Sequence, residues 1–302
     1  MSVLLRKPQL RGVFVPGDIA SGYYNDLRGK AGDNGSPGAA TAALKAMTAD
    51  RRLVHPISVA QLGLGAWQLA AAGDPRWLEV VSAVSDWVAG ELDTEGRIAF
   101  EFAYPHTYRL EPPWYSAMAQ GEAASLLLRA AVSLNRPELV HAAERAAGSL
   151  LSPASPLVVE TEEGPVLQEY PTDPPTHVLN GWINALWGLY DVANAEGELA
   201  ADAREAYQRG LEALVARLPL YNTGWNWSRY DLFPHAIIHV TSPFYHRLHV
   251  EQLRAMHVLD PRPIFAETAD RWESGVEHPL ARTYAVARKV AFRVLNPRKK
   301  VS

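Results

Sequence analysis

Three stretches of this chain gather residue types that can move protons or hold a polar ring. They are Gln168-Glu169-Tyr170-Pro171-Thr172-Asp173-Pro174-Pro175, then Trp225-Asn226-Trp227-Ser228-Arg229-Tyr230-Asp231, then Ser242-Pro243-Phe244-Tyr245-His246. Each sets a tyrosine beside a carboxylate, guanidinium or imidazole. A phenol has an ordinary pKa of about 10, so it acts as a base only near cations or strong donors. One such tyrosine is as well explained as a packing residue with a satisfied hydroxyl. Three in non-helical stretches are a stronger signal, because binding and catalytic groups concentrate on loops.

Other chemistries have weaker support. His235 and His239 are four apart and His246 and His249 three apart, which could present two imidazoles to a metal on a helix. Pro234 and Pro243, on either side, argue against a helix across the first pair, no HExxH is present, and no metal is expected. There is no GxGxxG after a strand, no GxxxxGK[ST] and no GxSxG, so nucleotide cofactors and serine hydrolysis lack a motif. Glu169 with Asp173 or Asp231 could pair as in glycoside hydrolysis, but any acidic sequence offers such pairs.

The elements that must position these groups read as helical hairpins. Residues 57–73 carry apolar residues at helical spacing up to Gly73, and Asp74-Pro75 opens a second helix over 77–92. The unit returns at 116–134 with 138–151, at 177–197 with 198–218, and at 245–259 with 264–275, so the first helices recur about every 60 to 70 residues. Stacked hairpins with long links suggest a mainly α fold, an α/α barrel or toroid of about four hairpins. The links are 93–114, 152–176 and 219–244, and links this long are uncommon unless functional. In such a barrel they gather at one end as a cleft. Alternation in Gly96–Tyr104 predicts a short strand. Residues 1–50 read as an irregular N-terminal segment, and 51–302 as the barrel domain.

Composition removes several classes. At 48% hydrophobic and 21% charged residues, the 302-residue chain has globular composition. No apolar run approaches the ~18 residues of a membrane span. The first residues lack a signal peptide's continuous apolar segment, so the default expectation is cytoplasmic. Zero cysteines exclude disulfides, thiol catalysis and Cys-ligated zinc, and a net charge of −4 argues against nucleic acid as partner. From His278 to Ser302 there are seven Lys or Arg and no acidic residue, a local basic tail. Nine Trp and twelve Tyr suit flat, polar-rimmed ligands such as sugars.

Beyond these readings, Glu169-Tyr170-Pro171-Thr172, Val178-Leu179-Asn180-Gly181 and Gly188-Leu189-Tyr190-Asp191 resemble the C-terminal domain of D-glucuronyl C5-epimerases. So do Pro56-Ile57 with Ala60-Gln61 and Gly63-Leu64, and Trp114-Tyr115-Ser116-Ala117-Met118-Ala119-Gln120-Gly121. Leu218 to Tyr221, Thr223-Gly224, Tyr230-Asp231-Leu232 and Tyr245-His246 with His249 continue the series in order, so it covers about residues 50–275.

The resemblance implies an α/α barrel that epimerises glucuronate to iduronate in a heparosan-like anionic polysaccharide, without a cofactor, as in heparan sulfate biosynthesis, and as a homodimer. It implies Glu169, Tyr170, Tyr230 and Tyr245 as the proton-transfer and orienting set, with Glu169 and Tyr245 as the opposed pair. Tyr115, Gln120, Asn180, Arg229, His246 and Arg247 are the expected substrate contacts. The family has an Arg three residues after the tyrosine of its Tyr-Asp-Leu motif. Here that position is Phe233, and Arg229 is the expected substitute. Two rival readings remain: a polysaccharide lyase, which removes the same C5 proton and then expels the 4-oxygen, and a non-catalytic glycan-binding domain.

Overall fold

The computed structural model describes residues 9–104 and 107–296. Helix starts follow the punctuation in the sequence. Proline occupies the first turn of α2 (Pro37–Thr48), α3 (Pro56–Ala71), α9 (Pro243–Leu259), α10 (Pro263–Glu277) and α11 (Pro279–Leu295). There its missing N–H forfeits no helical hydrogen bond. The hydroxyls of Ser36, Ser116 and Ser242 accept from backbone N–H groups at the starts of α2, α5 (Ala117–Ser133) and α9. Gly73, just past α3, has φ +109, a left-handed conformation that a residue without Cβ adopts freely.

Four antiparallel pairs result: α3 with α4 (Leu78–Gly90), α5 with α6 (Glu138–Gly148), α7 (Leu179–Ala193) with α8 (Ala200–Arg217), and α9 with α10. The first helices of successive pairs pack on each other in the order α3, α5, α7, α9. Nearly every residue of α7 is buried, as are the first fifteen of α5, whereas α6, α8 and α10 bury one stripe each. The fold is therefore mainly helical, as the periodicity predicts. Among the described residues no helix is long and apolar enough to cross a membrane.

The structure departs from the sequence reading in three places. The segment read as irregular contains α1 (Arg28–Gly32) and α2, and it buries Tyr23, Tyr24, Leu27 and Ala31 in the core. The expected strand in 96–104 is reduced to one antiparallel bridge, Phe100 with Trp114, whose rings stack 3.9 Å apart. Its alternation reflects aromatic packing rather than a ladder. The two-stranded sheet lies instead in the second link, where β1 (Val158–Thr161) pairs antiparallel with β2 (Gly164–Leu167). The basic tail is also more than a tail: most of it is α11.

The tightest joint is between α5 and α7. A Cβ on Gly121 would lie 2.7 Å from the Cα of Ala185, and one on Gly188 would lie 2.6 Å from the carbonyl oxygen of Gly121. Real Cβ atoms do not approach so closely, so the two backbones touch because both positions are glycine. About two turns further along α5, the buried Arg129 guanidinium donates to Asp191 of α7 at 2.6 Å. Tyr24 (2.6 Å) and Ser125 (2.5 Å) donate to the same carboxylate. Arg129 also donates to the Gly22 carbonyl at 3.0 Å, which fastens the N-terminal segment to the bundle. Removing one partner of a buried pair strands the other charge, at about 3–5 kcal/mol. Arg129→Met should therefore lower unfolding free energy in denaturant titration by about that much. A loss below about 1 kcal/mol would mean that the pair does not hold the joint.

Candidate active site

The cavity that gathers the tyrosines has a volume of about 430 Å³, within the ~300–1,000 Å³ usual for ligand sites. Its wall comes from the whole length of the chain. Asn25 and Lys30 lead into it. His55, Ile57, Ser58 and Gln61 come from the start of α3, and Phe102, Tyr104 and Tyr108 from the first link. Glu169, Tyr170 and Asn180 come from the second link and α7, and Tyr230, His239 and Tyr245 from the third link and α9. Lys289 and Arg293 come from α11.

Glu169 is one of this set and is 4% exposed. Its Oε2 accepts from the Asn180 amide at 3.1 Å. A Cβ on Gly181, the next residue of α7, would lie 2.5 Å from the Cβ of Glu169, so glycine there is what lets the glutamate lie against the helix. Burial raises the carboxyl pKa to about 7, against hydrogen bonds from Tyr170 and Asn180 that lower it. The group can thus take or give a proton near neutrality. Tyr104 donates to the Tyr170 hydroxyl at 3.0 Å, and the Tyr230 and Tyr245 rings meet edge to face with centroids 5.2 Å apart. Burial, with the charge of Glu169 second, pushes the Tyr170 and Tyr230 hydroxyls well above their ordinary value. They are therefore proton donors rather than phenolate bases.

Five of the ten residues singled out in the sequence line the cavity: Glu169, Tyr170, Tyr230, Tyr245 and Asn180. The other five are placed elsewhere. Gln120 is buried behind the wall, donating to the carbonyls of Gly96 and Ala146 and accepting from Ile98 N–H at 2.9 Å, so it ties the first link to α6. His246 is stacked on Trp227 at 3.9 Å, accepts from Ser228 and donates to the Trp272 carbonyl. Burial lowers its pKa to about 3, as suits a neutral core imidazole. Tyr115 packs under the Arg97 guanidinium, 4.2 Å away. Arg247 is exposed, facing Glu273 at 3.9 Å. Tyr115 and Arg229 are displaced for one reason: each follows or precedes, in extended backbone, a residue that faces inward (Trp114, Tyr230). Neighbouring side chains of extended chain point to opposite sides.

Asp231, His235 and His239 bring three ligand-type atoms within 4.8 Å of one another. Their atoms are already engaged. Asp231 Oδ2 accepts from His239 Nδ1 at 2.5 Å, from Tyr108 at 2.5 Å and from His235 at 3.3 Å. Lys289 Nζ donates to His239 Nε2 at 2.8 Å. An ammonium beside one ligand atom and donors on the carboxylate describe a hydrogen-bond network rather than an open cation site. Burial would raise the Asp231 pKa, but the two imidazoles outweigh it and hold the carboxyl well below its ordinary value.

The sequence reading missed Tyr104, Tyr108, Lys30, Lys289 and Arg293. Lys289 and Arg293 carried one legible signal: they are four apart, hence on one helical face, within the basic tail.

A second buried acid lies behind Gln61. Glu122 is fully buried, accepts from the Gln61 amide at 2.9 Å and leaves Oε2 unpaired. Burial raises its pKa to about 8, from an ordinary 4.5. Folded chain thus binds more protons than unfolded chain between those values. Stability is therefore full below about pH 4.5 and falls as pH rises toward 8, by roughly 1.4 kcal/mol per pH unit per group. Glu122→Gln keeps the Gln61 contact and should flatten the decline in melting temperature between pH 5 and 8. An unchanged slope would contradict a buried, protonated Glu122.

A family model described as D-glucuronyl C5-epimerase C-terminus matches residues 92–274. The D-glucuronyl C5-epimerase of Caenorhabditis elegans is 32% identical over 210 residues, which is 63% of this chain and 34% of that protein. An uncharacterised protein of Methanocaldococcus jannaschii is 26% identical over 186 residues, 57% of this chain and 56% of its own length. The chain therefore spans about a third of the worm protein and just over half of the archaeal one. The matched stretch, well over half of the chain, contains Glu169, Tyr170, Tyr230 and Tyr245, and on that ground the chain belongs to the D-glucuronyl C5-epimerase C-terminal family.

Proposed function

We propose that this chain is an isomerase that inverts C5 of D-glucuronate to L-iduronate within an anionic, heparosan-like polysaccharide. The observation that carries the reading is a carboxyl group with a pKa near 7, buried among protonated phenols, in a cavity that also contains Lys289 and Arg293. The wall also supports the finer architecture, an α/α toroid with its site at one mouth. Residues from α3 and α9, the two ends of the inner row, meet across one cavity.

The chemistry follows from the substrate. The C5 proton lies α to a carboxylate, so its removal places a second negative charge beside the first. The site must neutralise the carboxylate and stabilise the enediolate, and it needs an acceptor and a donor on opposite faces of the ring. In this reading ionised Glu169 takes the proton and the Tyr245 hydroxyl returns one from the other face. Tyr170 and Tyr230 orient the sugar and donate to the developing oxyanion. The route uses protons alone and calls for no redox cofactor.

Incubation with non-sulfated and N-sulfated heparosan in deuterated water should place deuterium at C5 of uronates, read by NMR, with iduronate formed and chain length unchanged. Unsaturated uronates absorbing near-ultraviolet light, with shorter chains and no iduronate, would establish the lyase reading. No exchange on any uronate polymer would leave the binding module.

Three substitutions test the assignments. Glu169→Gln and Tyr245→Phe should each lower exchange about 10²–10⁴-fold, the usual worth of a general acid or base. The wild-type rate should rise with pH through about 7 as Glu169 ionises. Gly181→Ala should cost as much as Glu169→Gln by displacing the carboxyl. Near-wild-type exchange in folded Glu169→Gln or Tyr245→Phe removes that residue from the pair.

A further inference from the structure

The proposed reaction needs a cation for the uronate carboxylate, and the arginine expected from the sequence does not supply it. Arg229 is turned away from the cavity, and Phe233 stands where the family motif has Arg. We propose that Lys289 of α11, set in place by His239 and Asp231, is the residue that receives the uronate carboxylate. This assignment rests on the epimerase reading for its substrate class, but its geometry is independent of that reading.

Four observations converge on Lys289. First, the carboxylate of Asp231 can only accept, so the 2.5 Å contact makes His239 Nδ1 the donor. The remaining ring nitrogen, Nε2, must then present its lone pair, and Lys289 Nζ donates to it at 2.8 Å. Asp231 thus fixes the tautomer, the tautomer fixes the acceptor, and the acceptor fixes the ammonium.

Second, α11 is seated on the same histidine. Phe292 stacks on the His239 ring at 3.8 Å and 4°, and Lys289 lies three residues before it on the same helical face. Ala281 and Ala285 pack with Trp227 and Val240, which fastens the rest of α11 to the third link.

Third, the ammonium stands 5.5 Å from the ring centroid of Tyr230, beside the tyrosine that the mechanism uses to orient the sugar. An ammonium has three donors. One is spent on His239, so two remain for a carboxylate in the cavity. Burial first, then Arg293, lower the Lys289 pKa to about 7, partly offset by Asp231. An arriving carboxylate restores the charge.

Fourth, Lys289 lies outside residues 92–274, the stretch shared with the family model. The carboxyl and phenol groups belong to the shared stretch, whereas this cation is contributed by a flanking helix.

The test is calorimetric binding of a non-sulfated heparosan hexasaccharide and of its carboxyl-reduced, uncharged counterpart. Wild-type protein should prefer the uronate form by about 10–100-fold, the worth of a hydrogen bond to a charged group. Lys289→Met should bind the two forms alike while keeping its affinity for the reduced one, and Lys289→Arg should retain part of the preference. If Lys289→Met melts well below wild type, Lys289→Gln takes its place in the comparison, with the same loss expected. A folded Lys289→Met or Lys289→Gln that keeps the full preference overturns the assignment, as does a wild-type protein with none. The two readings fail separately. Absent C5 exchange in wild type sinks the epimerase proposal, whereas a uronate preference abolished by Lys289→Met still supports the carboxylate site.

Discussion

Helices α5 and α7 touch backbone to backbone at Gly121 and Gly188, and the candidate site hangs from that joint. Shape allows the contact, and charge then fixes its register through Arg129 and Asp191. The contact has consequences at both ends. At the start of α7, Asn180 and Gly181 hold Glu169. At the start of α5, Gln120 ties the first link to α6, and Met118 reaches the cavity wall. Widening the joint by one methyl group would shift the elements that carry the carboxyl and those that carry its aromatic surroundings by different amounts. Catalytic geometry tolerates such displacements poorly.

The site itself divides into two electrostatic halves. Glu169 has neutral hydrogen-bond donors around it, so burial governs its proton affinity. Burial also keeps the Tyr170 and Tyr230 hydroxyls protonated. The other half is set by the Asp231, His235 and His239 network, which places a charged group, Lys289, beside a tyrosine ring. A carbanion route needs both halves: a group poised to exchange a proton near neutrality, and an ammonium whose charge is sustained by the carboxylate it receives. Acid–base chemistry in one cavity usually depends on environments that push pKa values apart in this manner.

Sequence periodicity carried most of the architecture because α3 to α10 keep apolar residues at helical spacing between clear start and stop residues. Glu169, Tyr170 and Tyr230 were legible because they cluster with other polar groups in long links, Tyr245 because it follows the third link in the first turn of α9, and the family resemblance joined the four into one set. What was lost was direction. Trp114 with Tyr115, and Tyr230 with Arg229, look equivalent in a one-dimensional reading, yet in extended backbone Trp114 turns into the aromatic core and Tyr230 into the cavity, while their neighbours point the other way. His246 and Gln120 were misjudged for another reason. A polar residue in a motif can be buried to satisfy backbone carbonyls, and nothing in its type separates that from a ligand contact. The spacing of Lys289 and Arg293 was legible but the role of Lys289 was not, because it depends on α11 packing back onto His239, fifty positions earlier. Contacts at that sequence separation leave no local pattern.

The proposed chemistry requires a uronate to lie with C5 between residue 169 and Tyr245. The most direct measurement is a crystal structure of the Glu169→Gln variant with a heparosan hexasaccharide bound. C5 of one uronate should sit within about 3–3.5 Å of both the position-169 side chain and the Tyr245 hydroxyl, on opposite ring faces, the spacing of a near-attack arrangement. Both groups on one face of the ring, or the sugar bound outside the cavity, would contradict it.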